Sequence, residues 1–216
     1  MTVRGGTTGS RAAAAEVFRE GWAMLRVDGP WAARITADAA AVLSLVSMVA
    51  GWWEGPVAVA LFALVLLGQT VVRLAPLRAP AQAATAALLL AAAWAALVGA
   101  YQLIGWLDLA MHLIVTGLLA ALAASVVLRR GWLTTGEGRG ADAVQGARAG
   151  RILLTTGTGS LLAVLWEAGE WFGHTFLDPA IQVGYGDTIG DLTAGVIGAA
   201  LAGAFLGRLV TDGGDA

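Results

Sequence analysis

The chain has no cysteine and no lysine, and charged residues make up only 13% of its 216 residues. Without cysteine, disulfide bonds and thiolate metal sites are excluded. All 13 basic residues are arginines, and they are scattered, so no basic stripe indicates nucleic-acid binding. The Gly184-Tyr185-Gly186 turn lacks the pattern of a phosphate-binding loop, so no nucleotide is predicted either.

Apolar residues are what the chain has in abundance, at 58% of the sequence. A membrane-spanning helix needs about 20 mostly apolar residues, and several such runs occur. The predicted fold class is therefore an all-α polytopic membrane protein, with membrane lipids as its partners. The bias toward Ala, Gly and Arg is typical of a GC-rich bacterial genome, which predicts a multi-pass protein of the bacterial cytoplasmic (inner) membrane.

Six apolar runs are predicted to be transmembrane helices, covering about 35–53, 56–74, 81–104, 106–128, 152–176 and 189–210. They form one transmembrane domain, 35–210, between the tails 1–34 and 211–216. The internal loop 129–151 is Gly-rich and polar, and no fold of its own is expected there. In the first tail, Phe18, Trp22 and Leu25 share one helical face, which suits an interfacial helix or a short solvated one.

The arginines predict the orientation of the six spans. Every one falls before the first span, in the second or fourth connection, or at the end of the last span, and the other connections contain none. Because basic residues concentrate on the cytoplasmic side, both termini are predicted to be cytoplasmic. Trp52, Trp53 and Trp106 then lie near the outer interface, as an aromatic belt requires.

Seven ionisable residues at helical spacing lie in or beside the last three spans. They are Asp108 and His112 in the fourth span, Glu167, Glu170 and His174 in the fifth, and Asp187 and Asp191 at the start of the sixth. Residues three or four apart share a helix face, and the predicted orientation puts all seven near the outer surface. Since ionisable groups within a membrane are costly, they indicate one functional site.

Small residues continue the polar faces of these three helices inward. In the sixth span Gly195, Ala199 and Gly203 follow Asp191 at intervals of four. Small residues allow membrane helices to pack closely. Helices four to six are therefore predicted to form a tight, polar-cored bundle, with the first three helices peripheral.

Two imidazoles with up to five carboxylates suit a divalent cation such as Zn, Mn, Fe or Mg. All seven residues are candidate ligands, and Glu167, Glu170 and Asp191 are also candidate catalytic groups. Without a metal, a His–carboxylate pair can act as a general base or a proton relay. Simpler interpretations stay open as well: Asp108 as a helix N-cap, His174 as a solvated side chain, Asp187 as a loop carboxylate, or the whole set as a structural polar network.

Three motifs in order carry a resemblance to a known family. They are Asp108-x-x-x-His112, then Trp166-Glu167-x-x-Glu170-Trp171, then Asp187-Thr188-x-x-Asp191-Leu192. This order resembles the YjdF-like integral membrane proteins and, more widely, the VanZ-like group, over residues 101–207.

The comparison with YjdF-like proteins is the closer one. VanZ-like chains usually carry Gln at the second glutamate position and Asn four residues after the last Asp, where this chain has Glu170 and Gly195. The resemblance implies a bacterial multi-spanning membrane protein. VanZ-like members are associated with glycopeptide resistance, and a role in lipid or envelope chemistry has been suggested for the group.

Three functions follow from these observations. The first is a metal-dependent enzyme acting on lipid head groups or polyprenyl phosphate in envelope metabolism; because no arginine accompanies the cluster, the metal would have to hold the phosphate. The second is a cation or proton transporter that uses the same carboxylates. The third is a noncatalytic accessory protein whose polar network only fixes helix packing. The sequence leaves open whether the protein is an enzyme.

Overall fold

The computed structural model describes residues 16, 19–23, 25–133 and 141–211, without the side chains of 141–144. From residue 31 onward its helices are α1 (Trp31–Glu54), α2 (Pro56–Leu74), α3 (Ala79–Leu97), α4 (Ala100–Leu103), α5 (Leu107–Arg129), α6 (Ala141–Phe176), α7 (Tyr185–Ala204) and α8 (Leu206–Leu209). Phe18 of the predicted interfacial helix and residues 212–216 of the C-terminal tail lie outside the described residues.

Five of these helices are long and apolar enough to cross a membrane, namely α1, α2, α3, α5 and α6. The predicted all-α polytopic class is therefore confirmed. The helix α7 matches the sixth predicted span, but it is not among the five, and its first two turns carry Asp187 and Asp191. The six-span count and the cytoplasmic position of both termini stay predictions.

The second predicted span, 56–74, has the bounds of α2, with Pro56 at its first position. The third, 81–104, was predicted as one helix, and this is wrong at its end. There α3 stops at Leu97, Gly99 adopts a left-handed φ of 70°, and α4 follows as a separate turn. A left-handed residue ends a helix, and glycine adopts that conformation without a steric penalty.

The second half of the predicted loop 129–151 is helical, because α6 already begins at Ala141. The extra segment contains four alanines and two arginines, which are strong helix formers whether or not the segment is apolar. With 36 residues, α6 is about 54 Å long at 1.5 Å per residue, well beyond the roughly 30 Å of a bilayer core. The last span also differs from 189–210: α7 starts at Tyr185 and ends at Ala204, before α8.

The long helices form two groups of three. Packing is extensive within α1–α3 and within α5–α7, and far less extensive between α3 and α5, where the groups meet. In the second group α7 packs against both α5 and α6, as predicted for the last three spans. Its core is made of small side chains, and Ala120, Ala124 and Ala199 are fully buried.

Glycines bring the backbones of α5 and α7 into direct contact. A methyl group placed on Gly117 would lie 2.7 Å from the carbonyl oxygen of Gly198, and one on Gly198 would collide with the carbonyl oxygen of Leu113. Such close approach is the usual role of small residues between membrane helices. This backbone contact fixes the position of α7 along the axis of α5, and therefore the position of Asp191 relative to α5.

The arginine-bearing helix ends meet on one side of the molecule. The backbone N–H of Arg78 donates to the carbonyl of Leu209 at 2.8 Å, and its Nε donates to Val210 at 2.8 Å. The guanidinium of Arg129 donates to the Thr211 hydroxyl, and the Thr211 N–H donates to Pro76 at 3.1 Å. These bonds join the α2–α3 connection, the end of α5 and the segment after α8, which the predicted topology places on the same side.

In the first group, polar side chains cross-link the three helices. The Gln69 amide donates to the carbonyl of Ala86 at 2.9 Å and to the buried Ser44 hydroxyl at 3.3 Å. The Trp94 indole donates to the Ser47 hydroxyl at 3.0 Å, and its ring packs on Phe62 with centroids 5.5 Å apart. These bonds satisfy polar groups that find no water in a hydrocarbon environment.

Candidate functional site

The centre of the site is formed by Asp108 and His112 on α5 and Asp191 on α7. The Nε2 atom of His112 lies 3.5 Å from Oδ1 of Asp108 and 3.9 Å from Oδ2 of Asp191. Each residue offers one ligand atom, and all three atoms lie within 4.8 Å of one another. Asp108 and His112 share a face because they are one helical turn apart, and the close contact of α5 with α7 adds Asp191.

Asp191 is the most deeply buried member of the group. The residue is 2% exposed, and its Oδ1 atom has no hydrogen-bond partner among the described residues. Its Oδ2 atom is 3.9 Å from His112, which is longer than a hydrogen bond. A buried carboxylate oxygen without a donor carries its full desolvation cost, so this position calls for a bound cation or a proton.

Three further carboxylates act on this centre through their charges. Glu167 and Asp187 both interact electrostatically with Asp108 and Asp191, and Glu170 interacts with the same two aspartates and with Glu167. Like charges at close range repel, and the repulsion grows in a medium of low dielectric constant. The cluster is therefore arranged to attract a positive charge.

The two glutamates of α6 lie about one helical turn apart beside the centre. Both are half-buried, and the Oε1 atom of Glu167 is buried without a partner among the described residues. Glu167 therefore has an acceptor oxygen available beside the centre.

His174 is not part of the central group. Its Nδ1 atom lies 2.6 Å from the carbonyl oxygen of Ile181, in the connection between α6 and α7. Because a carbonyl only accepts, Nδ1 carries the proton in this bond. The same connection is closed by Asp178, whose Oδ1 accepts from the Ala180 N–H at 2.9 Å. The structure therefore gives His174 a local structural contact, and its role as a metal ligand stays a prediction.

Tyr101 is a residue near the site that the sequence analysis missed. It lies on α4, and its hydroxyl donates to the carbonyl of Ala92 at 3.1 Å. Burial raises the pKa of this hydroxyl above its usual value, and the negative charges of Asp108, Glu170 and Asp191 raise it further. Tyr101 therefore stays protonated beside the acidic cluster. The one sequence feature that could have indicated the position of Tyr101 is Gly99, which ends α3 and lets the chain turn back.

Fold and site together define a multi-pass α-helical membrane protein with a His/carboxylate cluster between three helices. The chain belongs to a family of such proteins: the family model described as "Predicted membrane protein (DUF2238)" matches residues 30–212. The match includes all the long helices and every residue of the cluster. No curated protein and no solved structure matches the chain.

Proposed function

We propose that Asp108, His112 and Asp191 bind one divalent cation within the membrane. The observation that carries this proposal is the unpartnered, buried Oδ1 atom of Asp191, a residue on which the negative charges of Asp108, Asp187 and Glu167 act. A cation would supply the missing partner and offset the repulsion between Asp108 and Asp191. Buried charges are found paired or bound to metals for this reason.

The distances within the group suit such an ion. Ligands about 2.0–2.2 Å from a tetrahedral ion are about 3.3–3.6 Å apart. The His112–Asp108 separation of 3.5 Å lies within that range, and the His112–Asp191 separation of 3.9 Å lies a few tenths of an ångström above it. One imidazole with two carboxylates is a donor set for Zn, Mn, Fe or Mg. Three protein ligands also leave a position for water or substrate, as in catalytic metal sites.

We extend the proposal to an enzyme that acts on lipid head groups or polyprenyl phosphate in envelope metabolism, at the outer leaflet of the bacterial cytoplasmic membrane. The charged groups that act on the centre are carboxylates, so a metal would have to hold a phosphate there. Glu167, with its free Oε1, is the general base in this scheme, and Glu170 is the second acid–base group. The resemblance to YjdF-like and VanZ-like proteins supports an envelope role.

The metal can be tested by elemental analysis of the purified protein and calorimetric titration with Zn²⁺ and Mn²⁺. We expect one ion per chain for the wild type and for the control Asp178→Asn, which alters an exposed loop carboxylate. Asp191→Asn should lose the ion. Equal metal content in all three proteins, or none in any, would contradict the metal site.

The reaction can be tested separately from the metal. Phosphate release from lipid substrates in reconstituted vesicles should be lost in Glu167→Gln, while that variant still binds one ion per chain. Activity that persists in Glu167→Gln would remove this residue as the base. Loss of both metal and activity would instead make it a ligand.

Proton or cation transport is the second candidate, and it is favoured by one observation: Glu167 and Asp191 each have a buried oxygen without a partner, as members of a relay would. Proteoliposome flux that disappears in His112→Ala would place transport above the enzyme. If Glu170→Gln lowers stability and leaves every cellular phenotype intact, a noncatalytic accessory role is the better account.

A further inference from the structure

Three exposed arginines lie where helices of the second group end. Arg129 is the last residue of α5, Arg130 follows it, and Arg208 lies on α8. The helix α8 packs against the end of α5 through the buried Leu206, and the guanidinium of Arg129 donates to the Thr211 hydroxyl just after α8. The three arginines, called the arginine patch below, are therefore brought to one end of the group.

The charge of the arginine patch is not neutralised within the part of the chain that the structure describes. The guanidinium of Arg129 donates to the hydroxyl and the carbonyl oxygen of Thr211, which are both uncharged. That of Arg208 lies over the ring of Phe205, 5.3 Å from its centroid. By contrast, the guanidinium of Arg73 in the first group is paired with a carboxylate at 2.8 Å. The patch therefore carries positive charge that an anion can approach.

The depth of the arginine patch in a membrane follows from the length of α5. This helix has 23 residues and is long and apolar enough to cross a membrane. At 1.5 Å per residue it is about 34 Å long, compared with roughly 30 Å for the hydrocarbon core. Asp108 near its start and Arg129 at its end must therefore lie at opposite surfaces. Arginines at the ends of membrane helices extend their charge to the interface, so the patch lies at the level of the lipid phosphates, in the leaflet away from the acidic cluster.

The turn after α5 adds an aromatic side chain at the same level. Gly131 has a left-handed φ of 65°, its N–H donates to Leu128 at 3.1 Å, and the N–H of Trp132 donates to Val127 at 3.3 Å. This pair of bonds ends a helix and turns the chain back toward the last helical turn. Trp132 is thereby held at the end of α5, where it is 67% exposed. Tryptophan is enriched at membrane–water interfaces, where its ring lies among the lipid head groups.

We infer that the arginine patch binds the phosphate head group of an anionic phospholipid. Basic residues at the end of a membrane helix attract lipids that carry a net negative charge, and the planar guanidinium group matches the geometry of a phosphate. The exposed rings of Trp132 and Phe205 offer apolar contacts that a lipid can make and a soluble phosphate cannot. The inference does not depend on the metal site, because the patch and the acidic cluster lie at opposite ends of α5.

The test is native mass spectrometry of the full chain in detergent, titrated with phosphatidylglycerol or with phosphatidylcholine of the same acyl chains, which has no net charge. The wild type should bind phosphatidylglycerol at least about tenfold more tightly, because one basic residue near an anionic surface strengthens binding about fivefold. The double variant Arg130→Gln/Arg208→Gln removes two charges of the patch and keeps the bond from Arg129 to Thr211. It should bind phosphatidylglycerol about 25-fold more weakly than the wild type.

The matched control is Arg26→Gln/Arg34→Gln, which removes two exposed arginines before and at the start of α1 and changes the net charge equally. It should bind phosphatidylglycerol as the wild type does. Equal affinity of the wild type for the two lipids would overturn the inference. So would an unchanged affinity in Arg130→Gln/Arg208→Gln, or an equal loss in both double variants, which would show a dependence on net charge alone. Displacement of the lipid by millimolar inorganic phosphate would also overturn it, since the patch would then be a site for soluble anions.

Discussion

Gly198 is the position at which the packing of the site helices is most sensitive to a single methyl group. A side chain there would collide with the carbonyl oxygen of Leu113 and lie 2.7 Å from its carbonyl carbon. Because these are backbone atoms in the middle of α5, they cannot rotate away as a side chain can. In Gly198→Ala the two helices must therefore move apart.

The size of the effect follows from the kind of contact. Adding a methyl group to a well-packed interior costs about 1–3 kcal/mol, and contact with backbone places Gly198→Ala at about 3 kcal/mol. Asp191 lies seven residues earlier, about 10 Å along the same helix. Separation of α5 from α7 should lengthen the 3.9 Å contact between His112 and Asp191, so we also expect divalent cation affinity to fall at least about tenfold, equivalent to about 1.4 kcal/mol.

Reversible unfolding in mixed micelles, followed by circular dichroism, measures the first effect, and calorimetric titration with Zn²⁺ measures the second. The control is Gly157→Ala on α6, where a methyl group meets nothing within 4 Å. It should be neutral or more stable by up to about 1 kcal/mol, since alanine is the better helix former. If Gly198→Ala proves as stable as Gly157→Ala and binds Zn²⁺ as the wild type does, the close contact does not hold the site together.

Three further predictions concern other parts of the chain. His174→Ala should change the Zn²⁺ affinity by no more than about twofold, because the imidazole of His174 bonds to the carbonyl of Ile181. The same variant should speed amide exchange in the α6–α7 connection. A tenfold loss of Zn²⁺ affinity would instead show that His174 is a metal ligand. Trp94→Phe should cost about 1 kcal/mol, because it loses the bond to Ser47 and keeps the ring contact with Phe62; a double-mutant cycle with Ser47→Ala that gives no coupling would contradict this. Arg73→Met should cost about 1.5–3 kcal/mol, since the guanidinium donates to Leu25, Ala37 and Asp38; an unchanged unfolding midpoint would show that these bonds contribute nothing.

The helices and the centre of the site could be predicted because they depend on spacing. A continuous apolar run is sufficient to place α2 at its correct bounds. The four-residue spacing of Asp108 and His112 puts both on one face of any helix. Asp191 could be assigned to the same site as Asp108 and His112, because the small residues that follow it on α7 predicted close packing with α5. No knowledge of tertiary contacts was needed for these steps.

The features that were missed depend on the backbone or on one local bond. The end of α3 is set by the left-handed conformation of Gly99, whereas no charged residue interrupts the sequence between Arg78 and Ile104. The start of α6 lies in a polar segment, where an apolar pattern cannot show it. His174 has the right spacing for a ligand, but the path of the following loop brings the carbonyl of Ile181 to it. Spacing along one helix does not contain that information.

The bonds from Arg78 and Arg129 to the segment after α8 have a mechanical consequence. Arg78 donates to Leu209 and Val210, and Thr211 donates to Pro76, so the first three-helix group is fastened to the second at the end farthest from the acidic cluster, while Arg129 holds the same segment to α5. The two groups share little packing elsewhere. Any rocking of one half against the other would therefore pivot at the fastened end, and its largest amplitude would fall at the opposite end, near Tyr101 and the acidic cluster.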